Sequence, residues 1–548
     1  MCSSDLIIAD KTVYSPSNNY ENNVVRGGIK IEKWDTELNR KAAQGDANFS
    51  GITFEITNRS ADKVIIGSTV VQAGGGYAVG EVVATITTNA AGDAQTAANA
   101  LPYGTYSIQE VVTNGKYLLT DGTAHTFYIR EEGVLVTGNT LGNDIVFKDQ
   151  VIQGGVRVGK IDRDRDTNIA SGDATLNGAE FTIYNISNHV VVNKDGNEIT
   201  PASTIAAITS SNAVQTLTTP NNGVCSTGTK DLPYGTYVIK ETKAPRGYLL
   251  NRDWYVIFQI REDGVMVDTT VETTTAANTR AKIDPPATTH TWTANGYTAI
   301  NIPGNISYRY NWICSCGSTT TTNTNSAPAG TVTGTQAHTE GTSSGWYEVG
   351  GGSSTNPAEV NDEVIKGGVK FVKVDNDRIK DNQSETERAT PQGDAVLGND
   401  STFTEITIYN ISSYVNSYND GKIINKDGTL VSTAYTTANL NKITNHASGI
   451  DSYIVQKVYT DAEGVATTGT RDLPYGTYIA TETKAPDGYH LNDDWYVIFQ
   501  IREDGIIVDT SIGTPTNAQS DAGFAGQITG PSKAVNAVSG WYAPGGML

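Results

Sequence analysis

The chain has 548 residues and carries 59 Asp and Glu against 39 Lys and Arg, a formal charge of -20. That length accommodates roughly three to four domains. The acidic balance opposes binding to nucleic-acid phosphates or anionic membrane surfaces, so neutral or cationic partners fit better. Thr, Val, Ile, Tyr, Asn and Gly dominate where a helical protein would show Leu, Ala, Glu and Lys, which points to an all-β array. Four cysteines, Cys2, Cys225, Cys314 and Cys316, are too few to staple several domains. No apolar run of about 18 residues exists to span a bilayer. The opening MCSSDL lacks the basic and apolar regions of a secretion signal and resembles translated adaptor sequence, so a truncated reading frame is expected.

In chain order, YENNVVRGG places Asn22 five positions before Gly27, an offset that recurs below, and residues 1–25 are expected to be the tail of a preceding unit. GGIKIEKWD follows from Gly27. Its alternation sets Ile29, Ile31 and Lys33 on one face, so the lysine points with the apolar residues. After the strand GITFEITN comes LPYGTYSIQE (Leu101–Glu110), whose inward set is Tyr106, Ile108 and Glu110. HTFYIREEGV is the next strand. DIVFKDQ then puts Ile145, Phe147 and Asp149 on one face, with Asp149 five positions before Gly154. Residues 26–150 therefore read as one sandwich.

The same blocks return twice. GGVRVGKID from Gly154 directs Val156, Val158 and Lys160 inward, and LPYGTYVIKETKAPRGY (Leu232–Tyr248) does so for Tyr237, Ile239 and Glu241. WYVIFQIREDGV leads into a Thr-rich excursion over about 273–355 holding Trp292, Tyr297, Tyr308, Tyr310, Trp312, Trp346 and Tyr347. AEVNDEVIKGG then sets Ala358, Val360 and Asp362 on one parity, Asp362 lying five before Gly367. The second sandwich spans 151–363 with that excursion as an insertion. The third, 364–548, repeats GGVKFVKVD with Lys373 and LPYGTYIATETKAPDGY with Glu482, then enters a similar excursion that reaches GWY at Gly540–Tyr542. No closing strand is evident before Leu548. Asn517 is a fallback acceptor for this unit, and Asn278 for the second. Short strands between turn signals, with no convincing amphipathic helix, predict antiparallel β-sandwiches of about 110 to 130 residues each.

A buried carboxyl without a partner costs several kcal/mol, so a glutamate recurring at one inward position asks for a role. The outward neighbour of each lysine is Lys30, Arg157 or Lys370, whereas the inward residue is Lys every time, as if its amine were needed for more than charge. A neutral amine held against a carboxyl or carboxamide can attack its carbonyl carbon and expel water or ammonia. Burial disfavours the charged forms, and a protonated glutamate can polarise the carbonyl and relay protons. Contact supplies the effective concentration. The product is an isopeptide bond tying the first strand to the last. The competing reading is a buried Lys–Glu salt bridge alone.

The inward lysine, the glutamate of Y-x-x-x-E-T-x-A-P-x-G-Y and the terminal Asp or Asn resemble the Cna B-type, or SpaA-like, isopeptide-forming domains of Gram-positive surface adhesins and pilins. The resemblance covers nearly the whole chain except the excursions and termini; the first unit departs from it, reading EVVTNGKY. It implies tandem immunoglobulin-like (prealbumin-like) sandwiches. It further implies that Glu110, Glu241 and Glu482 are proton shuttles and that the crosslinks use Lys33 with Asp149, Lys160 with Asp362, and Lys373 with an acceptor not visible in the sequence. The expected role is a rigid stalk or adhesin segment of a cell-wall surface protein, extracellular, with no cofactor and no enzymatic activity beyond self-crosslinking. The alternative is an adhesive module whose aromatic insertion contacts a host protein or glycan.

Weaker signals point elsewhere without carrying it. LPYGT inverts the Thr–Gly order of a sortase signal and reads as a turn. Asp162, Asp164 and Asp166 open like a calcium loop but lack its sixth-position Gly, and Cys314 and Cys316 have no clustered His, so no metal is expected. Gly74–Gly76 lacks the Lys of a phosphate loop.

Overall fold

The computed structural model describes residues 22–67, 75–270, 360–378, 387, 389–399 and 401–510, and the backbone at 379–380 and of strands at 281–282, 289–302, 305–314, 319–324, 331–335, 346–350 and 542–545. Each unit is two facing sheets. In unit 1 the lysine strand (Arg26–Asp35) lies between Asp93–Gln95 and the aspartate strand (Val146–Val151), with Leu101–Pro102 and Leu135–Val136 also paired to it. The opposing sheet runs Val82–Thr87, Thr53–Asn58, the glutamate strand (Gly104–Val112) and His125–Ile129, all antiparallel.

Unit 2 repeats the plan. Its lysine strand (Gln153–Asp162) pairs with Val224–Ser226, Leu232–Pro233, Met266–Asp268 and the aspartate strand (Val360–Asp362). Its glutamate strand is Gly235–Lys243. In unit 3 the lysine strand (Lys366–Val372) pairs with Val465–Thr467, Leu473–Pro474 and Ile507–Asp509, and the glutamate strand is Gly476–Lys484. The chain is all-β in architecture, built of prealbumin-like sandwiches.

Local chemistry explains the repeated words. The second glycine of each GG pair lies under a neighbouring loop: a Cβ on Gly28, Gly155 or Gly368 would sit 2.3 Å from the carbonyl oxygen of Ala97, Gly228 or Gly469. LPYGTY is the crossover between sheets. Its Leu–Pro pairs with the lysine strand, its Gly opens the glutamate strand, and its second Tyr donates back to the Pro carbonyl, as in Tyr106 to Pro102 (2.9 Å), Tyr237 to Pro233 (2.7 Å) and Tyr478 to Pro474 (2.6 Å). Between the sheets, Ile29, Ile31, Phe54, Ile108, Phe127 and Phe147 form the core of unit 1, and units 2 and 3 bury the matching positions. Each such side chain contributes about 1.5–3 kcal/mol by leaving water.

Three features depart from the sequence reading. First and last strands run parallel, with Lys33 opposite Phe147 and Lys160 opposite Val360, because the last strand must close the sandwich beside the first. The excursions return to the host sheets: Trp346–Gly350 pairs with Tyr255–Ile260, and Tyr542–Gly545 pairs with Tyr496–Ile501. Their GWY triplets thus lead into or lie on sandwich strands, whereas strands at 289–302, 305–314, 319–324 and 331–335 form a separate antiparallel sheet. Third, unit 3 carries a helix, Thr437–Thr444, capped by Thr436; Leu440 and Ile443 pack it on Tyr409, Ile479 and Ile498. With eight residues and only those two buried positions, its periodicity is too short to read. Among the described residues no helix is long and apolar enough to cross a membrane.

Candidate crosslinking sites in the sandwich cores

A register fault follows the glutamate in its own strand. In unit 1 Phe54 pairs with Glu110 but Thr53 pairs with Val112, a β-bulge directly after the glutamate. The same shift follows Glu241, where Phe181 pairs with Glu241 and Glu180 with Lys243, and follows Glu482 in unit 3. A bulge bends the strand and re-aims a side chain. Alternation with Tyr106 and Ile108 already directs the carboxyl toward the opposite sheet, where the lysine stands, and the bulge bends the strand just beyond it.

In unit 1 the Lys33 Nζ lies 2.6 Å from Glu110 Oε2 and 2.8 Å from Asp149 Oδ2, and all three side chains have no exposure. Burial pushes Glu110 well above the usual carboxylate range, the Asp149 charge pushes it further, and Lys33 pulls it back. The other oxygen of Asp149, Oδ1, accepts from the Thr120 N–H (2.9 Å), the Thr120 hydroxyl (3.1 Å) and the Asp121 N–H (3.1 Å). One face of this carboxyl therefore meets the amine while the other is gripped by donors. Such donors stabilise an oxyanion developing at that atom.

Unit 2 assembles the same trio across the excursion. Lys160 Nζ lies 2.9 Å from Glu241 Oε1 and in direct contact with Asp362 Oδ2, again with no exposure. Burial pushes Glu241 up to about 8 and raises Asp362, with Lys160 opposing both. The N–H of Asn251, the counterpart of Thr120, favours the ionised form of Asp362 without reaching hydrogen-bonding geometry.

Unit 3 brings together only two of the three. Lys373 Nζ takes both oxygens of Glu482, at 2.8 and 2.9 Å, and its side chain is 16% exposed. The Asn492 N–H, counterpart of Thr120, points at Glu482 Oε2 (3.4 Å). Among the described residues no aspartate strand lies beside this lysine. The fallback acceptors Asn278 and Asn517 lie outside the described residues, as do the side chains of Cys314, Cys316 and the aromatics of the excursion. Asn22 is exposed.

Residues 34–141, 160–275 and 405–515 match the SpaA prealbumin-like fold domain, more than half of the chain. The chain belongs to this family. A search of curated proteins returns no match. Solved structures similar to it include the Bacillus anthracis TIE protein, at 19% identity over 88% of this chain and 50% of that one, with TM-score 0.36. Others are BcpA, the major pilin subunit of Bacillus cereus (13%; 88% and 97%; TM-score 0.22), and the C-terminal fragment of the pilus adhesin SpaC from Lactobacillus rhamnosus GG (17%; 51% and 94%; TM-score 0.23). The chain spans about half the length of the TIE protein.

Each SpaA-type unit also contains a clamp that the sequence reading missed. The aspartate two residues after the lysine is tied to the tyrosine that closes the glutamate motif: Tyr117 to Asp35 (3.2 Å), Tyr248 to Asp162 (2.6 Å) and Tyr489 to Asp375 (2.9 Å). Asp162, first residue of the calcium-like run, is thus turned into the protein, where Ser171 N–H also donates to it (3.1 Å), and Asp164 pairs with Lys366 (2.9 Å). The recurrence of K-x-D with the G-x-Y or G-Y ending was the available signal. The clamped tyrosine lies three residues before Thr120, Asn251 or Asn492 in each unit.

Proposed function

We propose that the chain is a stalk segment of a Gram-positive surface protein whose units, near 26–150, 151–363 and 364–548, stiffen themselves by intramolecular isopeptide bonds. The observation that carries this reading is the enclosed contact of one lysine amine with two carboxyls in both unit 1 and unit 2. A salt bridge needs one acid. The second acid gives the amine an electrophile and leaves the glutamate free to move protons.

The chemistry balances as follows. The Lys33 ammonium first passes one proton to Asp149 Oδ2 across their 2.8 Å contact. The neutral Nζ then attacks Cγ of Asp149, forming a C–N bond while Oδ1, held by Thr120 and Asp121, takes the developing charge. Glu110, protonated at the start, gives its proton to Oδ2 and takes one from the amine, so Oδ2 leaves as water carrying two protons while the amide keeps one N–H. Glu110 ends in its starting state. Glu241 serves Lys160 and Asp362 in the same way. For Lys373 the acceptor is a residue outside the described part of unit 3.

Intact mass decides the matter. The purified chain should be lighter than its sequence by one water for each of units 1 and 2, and Glu110→Ala or Glu241→Ala should each restore one. Peptide mapping should find Lys33 joined to Asp149 and Lys160 to Asp362. A wild-type chain at full sequence mass would sink the assignment.

A second reading, adhesion to a host protein or glycan, draws on the separate sheet over 289–335, which the sandwich plan does not require. Replacing residues 286–338 by a short Gly/Ser linker spares the strand Trp346–Gly350 of unit 2. Unchanged binding to host cells or matrix after that replacement would remove this reading. Either way the chain is read as extracellular, attached through its parent protein to the cell wall.

A further inference from the structure

The junctions between units 1 and 2 and between units 2 and 3 share one contact. Asp46 and Asp173 each reach into the following unit, Asp46 to Arg261 (2.9 Å) and the Thr236 hydroxyl, Asp173 to Arg502 (2.9 Å) and the Thr477 hydroxyl (2.6 Å). Around that contact the junctions differ. After the strand Glu180–Asn185, unit 2 turns through SNHV (Ser187–Val190) into Val191–Val192. After the matching strand Glu405–Asn410, unit 3 takes the longer course SSYVNSYNDGK (Ser412–Lys422) before Ile423–Ile424. This loop is pinned to unit 2. Ala170 and Gly172 donate their N–H groups to the Tyr418 and Lys422 carbonyls (both 2.9 Å), and the Asn419 amide donates to the Ala174 carbonyl (2.6 Å). Asp420 takes the Arg165 guanidinium with both oxygens (2.6 and 3.1 Å).

Between the loop and unit 2 lies a cleft of about 350 Å³, walled by Thr175, Asn177, Asn221 and Arg246 on one side and by Val415, Asn416 and Asn419 on the other. Its lining is amide, hydroxyl, one guanidinium and one apolar side chain. No carboxylate lines it, although the chain carries a formal charge of -20. The two nearby acids are engaged elsewhere, Asp173 with Arg502 and Asp420 with Arg165. Arg246 is exposed, donates to the Asp173 main-chain carbonyl (3.2 Å), and has no ion pair among the described residues. Asn177 and Asn221 are exposed too, and among the described residues neither side-chain amide is hydrogen-bonded. The junction between units 1 and 2 has neither wall. There Gly115 stands at the position of Arg246, and the facing loop is the short SNHV turn.

We propose that this cleft binds a carboxylated sugar, a uronic or sialic acid unit of a glycan. An amide side chain presents a donor and an acceptor together, which suits adjacent sugar hydroxyls. A guanidinium grips a carboxylate through two parallel N–H bonds, and no acid in the lining competes for it. Val415, 64% exposed, offers an apolar surface to the C–H face of a sugar ring. The volume lies at the small end of ligand sites and suits a terminal sugar more than a long chain. The site rests neither on crosslinking nor on the sheet over 289–335.

Saturation-transfer NMR of the full chain, which reads weak binding, tests this with the methyl glycosides of glucuronic, galacturonic and N-acetylneuraminic acids beside those of glucose and galactose. At least one acidic glycoside should receive transfer to its ring protons, well above the neutral ones. Arg246→Ala should weaken that binding about tenfold or more, as the loss of charged hydrogen bonds implies. Asn221→Ala should weaken it by less. Both side chains are exposed, so either variant keeps the fold. Replacing residues 286–338 should change nothing, which separates this site from adhesion through the excursion. No transfer to any of the acidic glycosides, equal transfer to the neutral ones, or binding that survives Arg246→Ala overturns the proposal. So does displacement by inorganic phosphate with Asn221→Ala without effect, the mark of a bare guanidinium that takes any anion.

Discussion

Units 1 and 3 hold the same lysine and glutamate in different company. Lys33 is enclosed, shares its amine between two carboxyls, and lies within a strand that runs on to Asp35. Lys373 is partly exposed, gives its amine to both oxygens of one glutamate, and stands just past a strand that ends at Val372. What differs is the neighbour. In unit 1 the aspartate strand pairs alongside residues 32–35 and seals them; among the described residues of unit 3 nothing takes that place. In unit 3 the glutamate meets the amine with both oxygens, and the Asn492 N–H, counterpart of the donor that holds Asp149, points at that glutamate. The second carboxyl is what the proposed reaction requires and a salt bridge does not.

Deleting the lysine in each unit should break this comparison open most widely. In unit 1, Lys33→Met removes the crosslink, whose enclosed loop of on the order of 100 residues is worth ~4–5 kcal/mol by the chain-entropy argument for covalent links. It also leaves two acids facing each other in the core. In unit 3, Lys373→Met breaks the pair with the buried Glu482, at ~3–5 kcal/mol for the charge left unpaired. Calorimetry of the two variants should show the transition of unit 1 falling further than that of unit 3. Equal losses would mean that the three-residue site in unit 1 is no more than an ion pair.

Acidity sharpens the same contrast through unit 2. Glu241 has been pushed up to about 8, so below that pH it carries the proton that the departing oxygen needs, and above it the proton is lost. Joining of Lys160 to Asp362, followed by peptide mapping during folding of freshly synthesised chain, should slow as pH rises through about 8 and hold steady from there down toward neutrality. A rate that keeps rising above pH 8 would mean that generating neutral amine, and not protonating the leaving oxygen, governs the step.

Much of this was legible because it rests on parity and recurrence. Lys33, Lys160 and Lys373 share a face with apolar neighbours, and Asp149 and Asp362 stand at one offset before a GG pair that is itself fixed by a loop passing over the second glycine. The bulge after each glutamate was not legible, since it is a property of register between strands far apart in sequence and not of alternation within one. The junctions were hidden for a similar reason. Asp46 meets Thr236 and Arg261, and Asp173 meets Thr477 and Arg502, partners in another unit that no local pattern connects. The GWY segments were seen as a recurrence, but their return to the host sheets depends on an edge strand being open to pair.

The clamp beside each site offers the finest comparison. Tyr117 is fully buried and its hydroxyl is held by Asp35, whose other oxygen takes the Leu38 N–H (2.9 Å) and the Gln44 amide (2.9 Å). Tyr489 makes the equivalent bond to Asp375 from a more open position. Removing one hydroxyl leaves a buried acceptor short of a donor, at ~1–3 kcal/mol where no water can replace it. Tyr117→Phe should therefore cost unit 1 an amount of that order, and Tyr489→Phe less, because Tyr489 is only half-buried and solvent can take its place. The decisive reading is the crosslink and not the stability. If the clamp positions the turn that grips Asp149, Tyr117→Phe should slow the joining of Lys33 to Asp149 in freshly folded chain while still reaching completion. A normal rate in a destabilised unit would confine the clamp to holding the sandwich together.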